Sequence, residues 1–282
     1  MRKRIKPIVV YFVLGLLSLT LVLAQAHQAK VRQKTLATAQ QTIPEPTTTV
    51  STTTSNEEED ETLVLNPIID ISGWQLPSQI NYDTLSKNIS GAIVRVFGGS
   101  QITKDNNAAH TTGVDKSFKT HIKEFQKRNI PVAVYSYALG TSEKEMREEA
   151  QLFYKNASPY NPTFYWIDVE EVTMTDMDAG VQAFREELKK LGAEKVGIYI
   201  GTYFMQEQAI TVDQFDAVWF PTYGSNSGYY EAAPETDLEY HLHQYTSEGS
   251  LPGFDGSLDL NQIAVTQKTK STYEYLFGEI KE

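Results

Sequence analysis

From residue 63 onward, short apolar runs alternate with amphipathic stretches of helical period, and this alternation restricts the possible folds more than any other feature of the chain. Strand-like runs are expected at 67–72, 92–97, 132–137, 163–169, 195–200, 217–223 and 240–246, and helices at 116–128, 142–155, 177–191 and 271–277. Ser142 followed by Glu145 is a capping-box pattern, and Gly192 stands where the third helix must stop. Apolar strands interleaved with amphipathic helices fold as α/β with a mainly parallel sheet. Seven or eight strands in a segment of this length suit a closed barrel better than an open sheet. The expected architecture is an irregular (β/α) barrel of about eight strands, irregular because its last part has strands without clear intervening helices.

The segment before the barrel has a different character. Met1-Arg2-Lys3-Arg4-Ile5-Lys6 is basic, and no charged residue follows until Lys30. Residues 8–24 are almost wholly apolar, long enough to span a bilayer as a helix. The basic flank places that end in the cytoplasm. Ala24-Gln25-Ala26 also has the form of a signal-peptidase site, so residues 1–26 read as a cleaved signal peptide or a retained transmembrane anchor, and the rest of the chain is expected outside the cytoplasmic membrane. Residues 27–62, with a Thr/Ser run and the acidic run Glu57-Glu58-Glu59-Asp60-Glu61, cannot bury enough apolar surface to order themselves and read as a disordered linker. Residues 63–282 form the expected catalytic barrel. The chain has no cysteine, which excludes disulfides and thiol nucleophiles. Its net charge of −11 lies on the body of the chain and disfavours nucleic acid as a partner.

Function in such barrels sits at the C-terminal ends of the strands, and the expected strand ends carry polar chemistry. Asp168 and Glu170 stand at positions i and i+2 of one apolar run, so they share a face. Two acidic groups among aromatic residues repel each other and lose water, which raises at least one pKa. A neutral carboxylic acid beside an ionised carboxylate offers a proton donor and a stabiliser of positive charge, as cleavage of a glycosidic bond requires. A solvated or salt-bridged strand end is the plainer reading of so short a pattern. The other strand ends add Asp70, Ser72, Trp74 and Gln75; Tyr135 and Tyr137; Tyr199; Tyr223; and Gln244, with Asp259 beyond. Four carboxylates and a ring of aromatics would then converge on one mouth, and flat aromatic faces among hydrogen-bonding groups suit sugar rings.

From about residue 67 to 263 the chain resembles glycoside hydrolase family 25, the lysozymes that cleave bacterial peptidoglycan. The resemblance rests on Ile69-Asp70-Ile71-Ser72-Gly73-Trp74-Gln75, on Ile167-Asp168-Val169-Glu170, and on Gln244-Tyr245-Thr246-Ser247 with Gly249-Ser250-Leu251-Pro252-Gly253 and Leu258-Asp259-Leu260-Asn261. It implies an irregular α/β barrel that needs no cofactor or metal and hydrolyses the β-1,4 bond between N-acetylmuramic acid and N-acetylglucosamine. Glu170 would be the general acid. Asp168 would stabilise positive charge or orient the acetamido group of the substrate, in a retaining, substrate-assisted reaction. Asp70 and Asp259 match further acidic positions that tune Glu170 or touch sugar; a turn-capping carboxylate is the alternative for Asp259. Trp74, Gln75, Tyr135, Tyr137, Tyr199, Tyr223 and Gln244 are the expected substrate contacts.

The chain departs from the family pattern at His243, where many members have Trp, at Arg95-Val96-Phe97-Gly98-Gly99, which lacks the acidic residue often seen there, and at Tyr137, where a His is common. Three other readings compete. A chitinase-like N-acetylglucosaminidase also uses an Asp-x-Glu strand end, but the places for its further acidic residues hold Thr163 and Trp166. A catalytically silent peptidoglycan-binding module would not need both Asp168 and Glu170. A zinc deacetylase would need His241 and His243 to act as ligands with a carboxylate.

Overall fold

The computed structural model describes residues 63–101 and 104–279. The expectations for residues 1–26 and 27–62 fall outside the described residues. Among the described residues, no helix is long and apolar enough to cross a membrane.

Eight strands form one closed barrel in chain order: β1 (Ile68–Ile71), β2 (Gly91–Phe97), β3 (Val132–Tyr137), β4 (Tyr165–Val169), β5 (Val196–Ile200), β6 (Ala217–Pro221), β7 (Leu242–Gly249) and β8 (Leu258–Ile263). Pairings from β1 through β7 are parallel. The last two, β7 with β8 and β8 with β1, are antiparallel. Connection length explains the reversal. A parallel return needs a crossover of a dozen residues or more, usually a helix. Residues 250–257 are too few, so β8 turns back beside β7 and closes the ring against β1. The eighth strand was not among the expected ones. Its sequence alternates apolar with Asp259, Asn261 and Gln262, because one face of it looks into the barrel mouth rather than into a dry core.

Helices α1 (Tyr82–Leu85), α2 (Phe118–Gln126), α3 (Glu143–Ala157), α4 (Met177–Leu191) and α5 (Thr202–Glu207) lie in the connections, and α6 (Thr269–Phe277) follows the last strand. In α3, Met146, Ala150, Phe153 and Ala157 form the buried stripe that a 3.6-residue period produces. The Ser142 side chain accepts from the Glu145 N–H at its start. Asp176 caps α4 in the same way through the Ala179 N–H, and Gly192, at φ +107, ends it. Two apolar layers result. One lies between strands and helices. The other fills the barrel itself with Ile68, Ile93, Trp166, Trp219, Leu242 and Ile263, closed at the N-terminal end by Tyr273, Leu276 and Phe277 of α6. The floor is therefore plugged, while the C-terminal mouth gathers the polar side chains of the strand ends.

Buried polar residues hold the mouth loops in place. Glu149, on the inner face of α3, accepts from the Ser100 N–H at 2.6 Å and the Leu139 N–H at 3.0 Å, tying together the loops after β2 and β3. Asp115 accepts from the Gly73 N–H, the Ser117 N–H and the Arg95 guanidinium, the last at 3.0 Å. His121 is buried between the Tyr82 hydroxyl and the Ser72 carbonyl. A carbonyl can only accept, so Nε2 of His121 carries the hydrogen and Nδ1 accepts from Tyr82.

Candidate active site

The strand ends meet at a cleft of about 160 Å³ on the C-terminal face of the barrel. Asp70 comes from β1, Tyr135 from β3, Asp168 from β4 and Glu170 from the position just beyond it. Tyr199 comes from β5, Trp219 from β6, Tyr223 from the loop that follows, Gln244 from β7 and Asp259 from β8. The barrel register explains why these residues meet. Asp70 lies directly across from Asp259, and Asp168 directly across from both Tyr137 and Tyr199. All four expected carboxylates thus line one cavity, as do Tyr135, Tyr199, Tyr223 and Gln244.

Three expected contacts stand apart from that lining. Trp74 is 58% exposed on the loop after β1. Gln75 turns its amide oxygen to the Ser72 N–H at 3.1 Å and so braces that loop. Tyr137 donates its hydroxyl to Glu171 at 2.8 Å. Sequence reasoning missed Trp219, although counting back from Tyr223 by twos along β6 places it on the inner face. It also missed Asn261 as a partner of Asp70, and Glu171 beside Glu170. His241 accepts from the Val218 N–H and His243 donates to the Thr222 carbonyl, so each imidazole is committed to backbone.

The electrostatics follow from crowding four carboxyl groups where little water reaches. Burial raises Asp168 well above the ordinary carboxylate range, and the charges of Glu170 and Asp70 add to it, with Arg95 opposing. Its Oδ1 atom is buried without a hydrogen-bond partner. Asp259 is pushed up to about 9, first by desolvation and then by Asp70 and Glu170. Glu170 stands at the cleft rim. It too is raised, by lost hydration and by Glu171, while a hydrogen bond with Asp168 works in the opposite direction. Asp70 rises only to about 6, because hydrogen bonds from Asn261 and Gln244 offset much of its burial. Burial and mutual repulsion thus favour the protonated form at Asp168 and Asp259, while the amide donors favour the anion at Asp70. Acid and anion are supplied together, which is the combination glycosidic cleavage uses.

Residues 69–254 match the family model described as Glycosyl hydrolases family 25. The chain belongs to glycosyl hydrolase family 25. It is a glycoside hydrolase with the family's α/β barrel. Among solved structures it is similar to GHIP, a family 25 virulence factor of Streptococcus pneumoniae described as participating in host cell invasion, with 52% identity over 76% of this chain and 94% of that one and a TM-score of 0.74. The catalytic domain of the endolysin ply40, from bacteriophage P40 of Listeria monocytogenes, shares the fold at 24% identity, covering 77% of this chain and 98% of the other with a TM-score of 0.64. A family 25 glycosyl hydrolase of Bacillus anthracis shares it at 21% identity, with 73% and 92% covered and a TM-score of 0.55. A comparison with curated protein sequences found no match.

Proposed function

We propose that this family 25 member is a lysozyme that hydrolyses the β-1,4 bond between N-acetylmuramic acid and N-acetylglucosamine in bacterial peptidoglycan. The observation that carries the reading is the hydrogen-bonded pair of Asp168 and Glu170 at the cleft mouth, both raised. Glu170, at the rim, is the general acid that protonates the leaving oxygen. Asp168 lies deeper, its buried Oδ1 without a partner in the chain, and orients the acetamido group of the substrate. The reaction we propose retains configuration, with the acetamido group of the substrate assisting. Tyr135, Tyr199 and Trp219 line the aromatic base of the cleft beneath the carboxyl groups.

The peptidoglycan part of the reading is also supported by what the neighbours are, an endolysin catalytic domain among them. We further propose, from residues 1–26 alone, that the barrel works outside the cytoplasmic membrane, tethered by an uncleaved anchor through the 27–62 linker or released by signal cleavage. Mass spectrometry of reduced digestion products tests the bond assignment. New reducing muramic acid ends are expected from wild type and not from Glu170→Gln. Reducing glucosamine ends would overturn the choice of bond, and retained binding to the wall without release would overturn hydrolysis of this polymer.

A further inference from the structure

Gln244 was expected to touch substrate, yet its amide is already fully engaged. Its Oε1 accepts from the hydroxyls of both Tyr199, at 2.8 Å, and Tyr223. Its Nε2 donates to Asp70 Oδ2 at 2.8 Å. Asn261 donates to the same oxygen at 2.8 Å while also donating to the Ile68 carbonyl. The Asn261 orientation is forced. A backbone carbonyl can only accept, so the atom of Asn261 facing it is nitrogen, and that nitrogen also faces Asp70. The hydroxyls of Tyr199 and Tyr223 donate to the Gln244 oxygen, and the nitrogen at the opposite end of the amide faces Asp70. Asp70 Oδ2 thus receives two N–H donors, which favours its charged form.

We propose that Gln244, clamped by Tyr199 and Tyr223, is a positioning residue that holds Asp70 as the fixed anion of the cleft. This rests on the hydrolase reading of the site and gives that site its charge pattern. The groups that face Asp70 are Tyr135 on β3, Asp168 and Glu170 at the end of β4, Tyr199 on β5, Tyr223 after β6 and Asp259 on β8, with Arg95 on β2 held by Asp115. Several acids in contact titrate as a group, and the proton leaves first where the anion is best solvated by donors. Against the charge of Glu170, the two amides favour the anion at Asp70. Its charge then discourages ionisation of Asp168 and Asp259. Removing the tyrosine hydroxyls takes away the two donors that hold the Gln244 oxygen and so loosens the N–H donor on Asp70 without any change to the carboxylate itself.

The test uses the full chain in detergent, labelled with 13C at the aspartate carboxyls, as wild type, as Gln244→Met and as the double variant Tyr199→Phe with Tyr223→Phe. The Asp70 resonance is identified by its loss in Asp70→Asn. Wild-type Asp70 is expected to titrate near 6. Both variants should move it upward by about one pH unit, since a hydrogen bond to the charged form favours that form. The acid limb of the pH–rate profile on peptidoglycan should move with it. The same titration in all three proteins would overturn the proposal. So would a rise in KM with an unmoved limb, which would make Gln244 a sugar ligand. If Gln244→Met fails to fold, the double variant decides alone. A wild-type chain that releases no fragments would overturn the hydrolase reading, while the carboxyl titration still decides the role of Gln244.

Discussion

Asp70→Asn should make the protein more stable and catalytically poor, and the gain should depend on pH in a defined way. Asp70 is 5% exposed, and its carboxyl is raised from 3.8 to about 6. Holding an anion there at neutral pH works against folding. Each tenfold change in proton affinity is about 1.4 kcal/mol, so the full penalty at pH 7 is about 3 kcal/mol, an upper bound because neighbouring carboxyls share the charge. The sign follows from linkage. Below the unfolded value both states are protonated and the stability contribution of the neutral acid is fully present. It is lost as pH rises through the folded value, and above that it is gone. An asparagine never ionises, and its amide oxygen can accept from Gln244 and Asn261 where Oδ2 does now. The variant should therefore match wild type near pH 3.5 and exceed it by about 1–3 kcal/mol above pH 7. Urea unfolding of both proteins across that range measures the difference directly. A variant that is less stable at every pH, or a difference that does not grow with pH, would refute the assignment of Asp70 as a costly buried anion.

Glu170→Gln keeps the shape of the side chain but cannot donate a proton, so hydrolysis should fall by about 10²–10⁴ with thermal stability kept; reducing-end release and a melting curve check both. Phe277→Ala empties part of the barrel floor, where Phe277 is 2% exposed, and should cost about 3–5 kcal/mol; denaturant titration reads this, and the folded fraction should keep its rate per molecule because the floor lies opposite the mouth. Gly73→Ala would bring a methyl group to 2.3 Å from the Ala108 carbonyl oxygen and displace the Gly73 N–H from Asp115. Destabilisation of about 1–3 kcal/mol is expected, with weakened turnover because the loop bearing Trp74 moves; melting temperature and activity should fall together.

The parallel strands could be read from sequence because each is buried on both faces and so appears as a continuous apolar run. The eighth strand could not, since Asp259 and Asn261 break its apolar pattern for the sake of the cleft. Helices α1 and α5 are too short for periodicity to register. Within the cleft, the pair Asp168 and Glu170 was visible because two residues of one strand carry it. The amides that set the state of Asp70 were not visible as its partners, because Gln244 and Asn261 lie 174 and 191 residues away. Trp74, Gln75 and Tyr137 were assigned to the mouth by their place at strand ends. Strand position fixes the neighbourhood of a side chain, but local hydrogen bonds, such as that between Gln75 and Ser72, fix its direction.

The antiparallel seam between β8 and β1 has a bearing on when activity can arise. Asp70 stands on the first strand of the ring, while Gln244, Asp259 and Asn261 stand on the last two. A chain still growing past residue 200 already contains Asp168 and Glu170, but its ring is open and Asp70 has neither amide beside it. Pairings this distant in sequence are the slowest to form. An unfinished or truncated copy that stops short of residue 261 therefore carries the acid pair and Asp70 but lacks the Asn261 amide that donates to Asp70 and the β8 pairing that closes the ring.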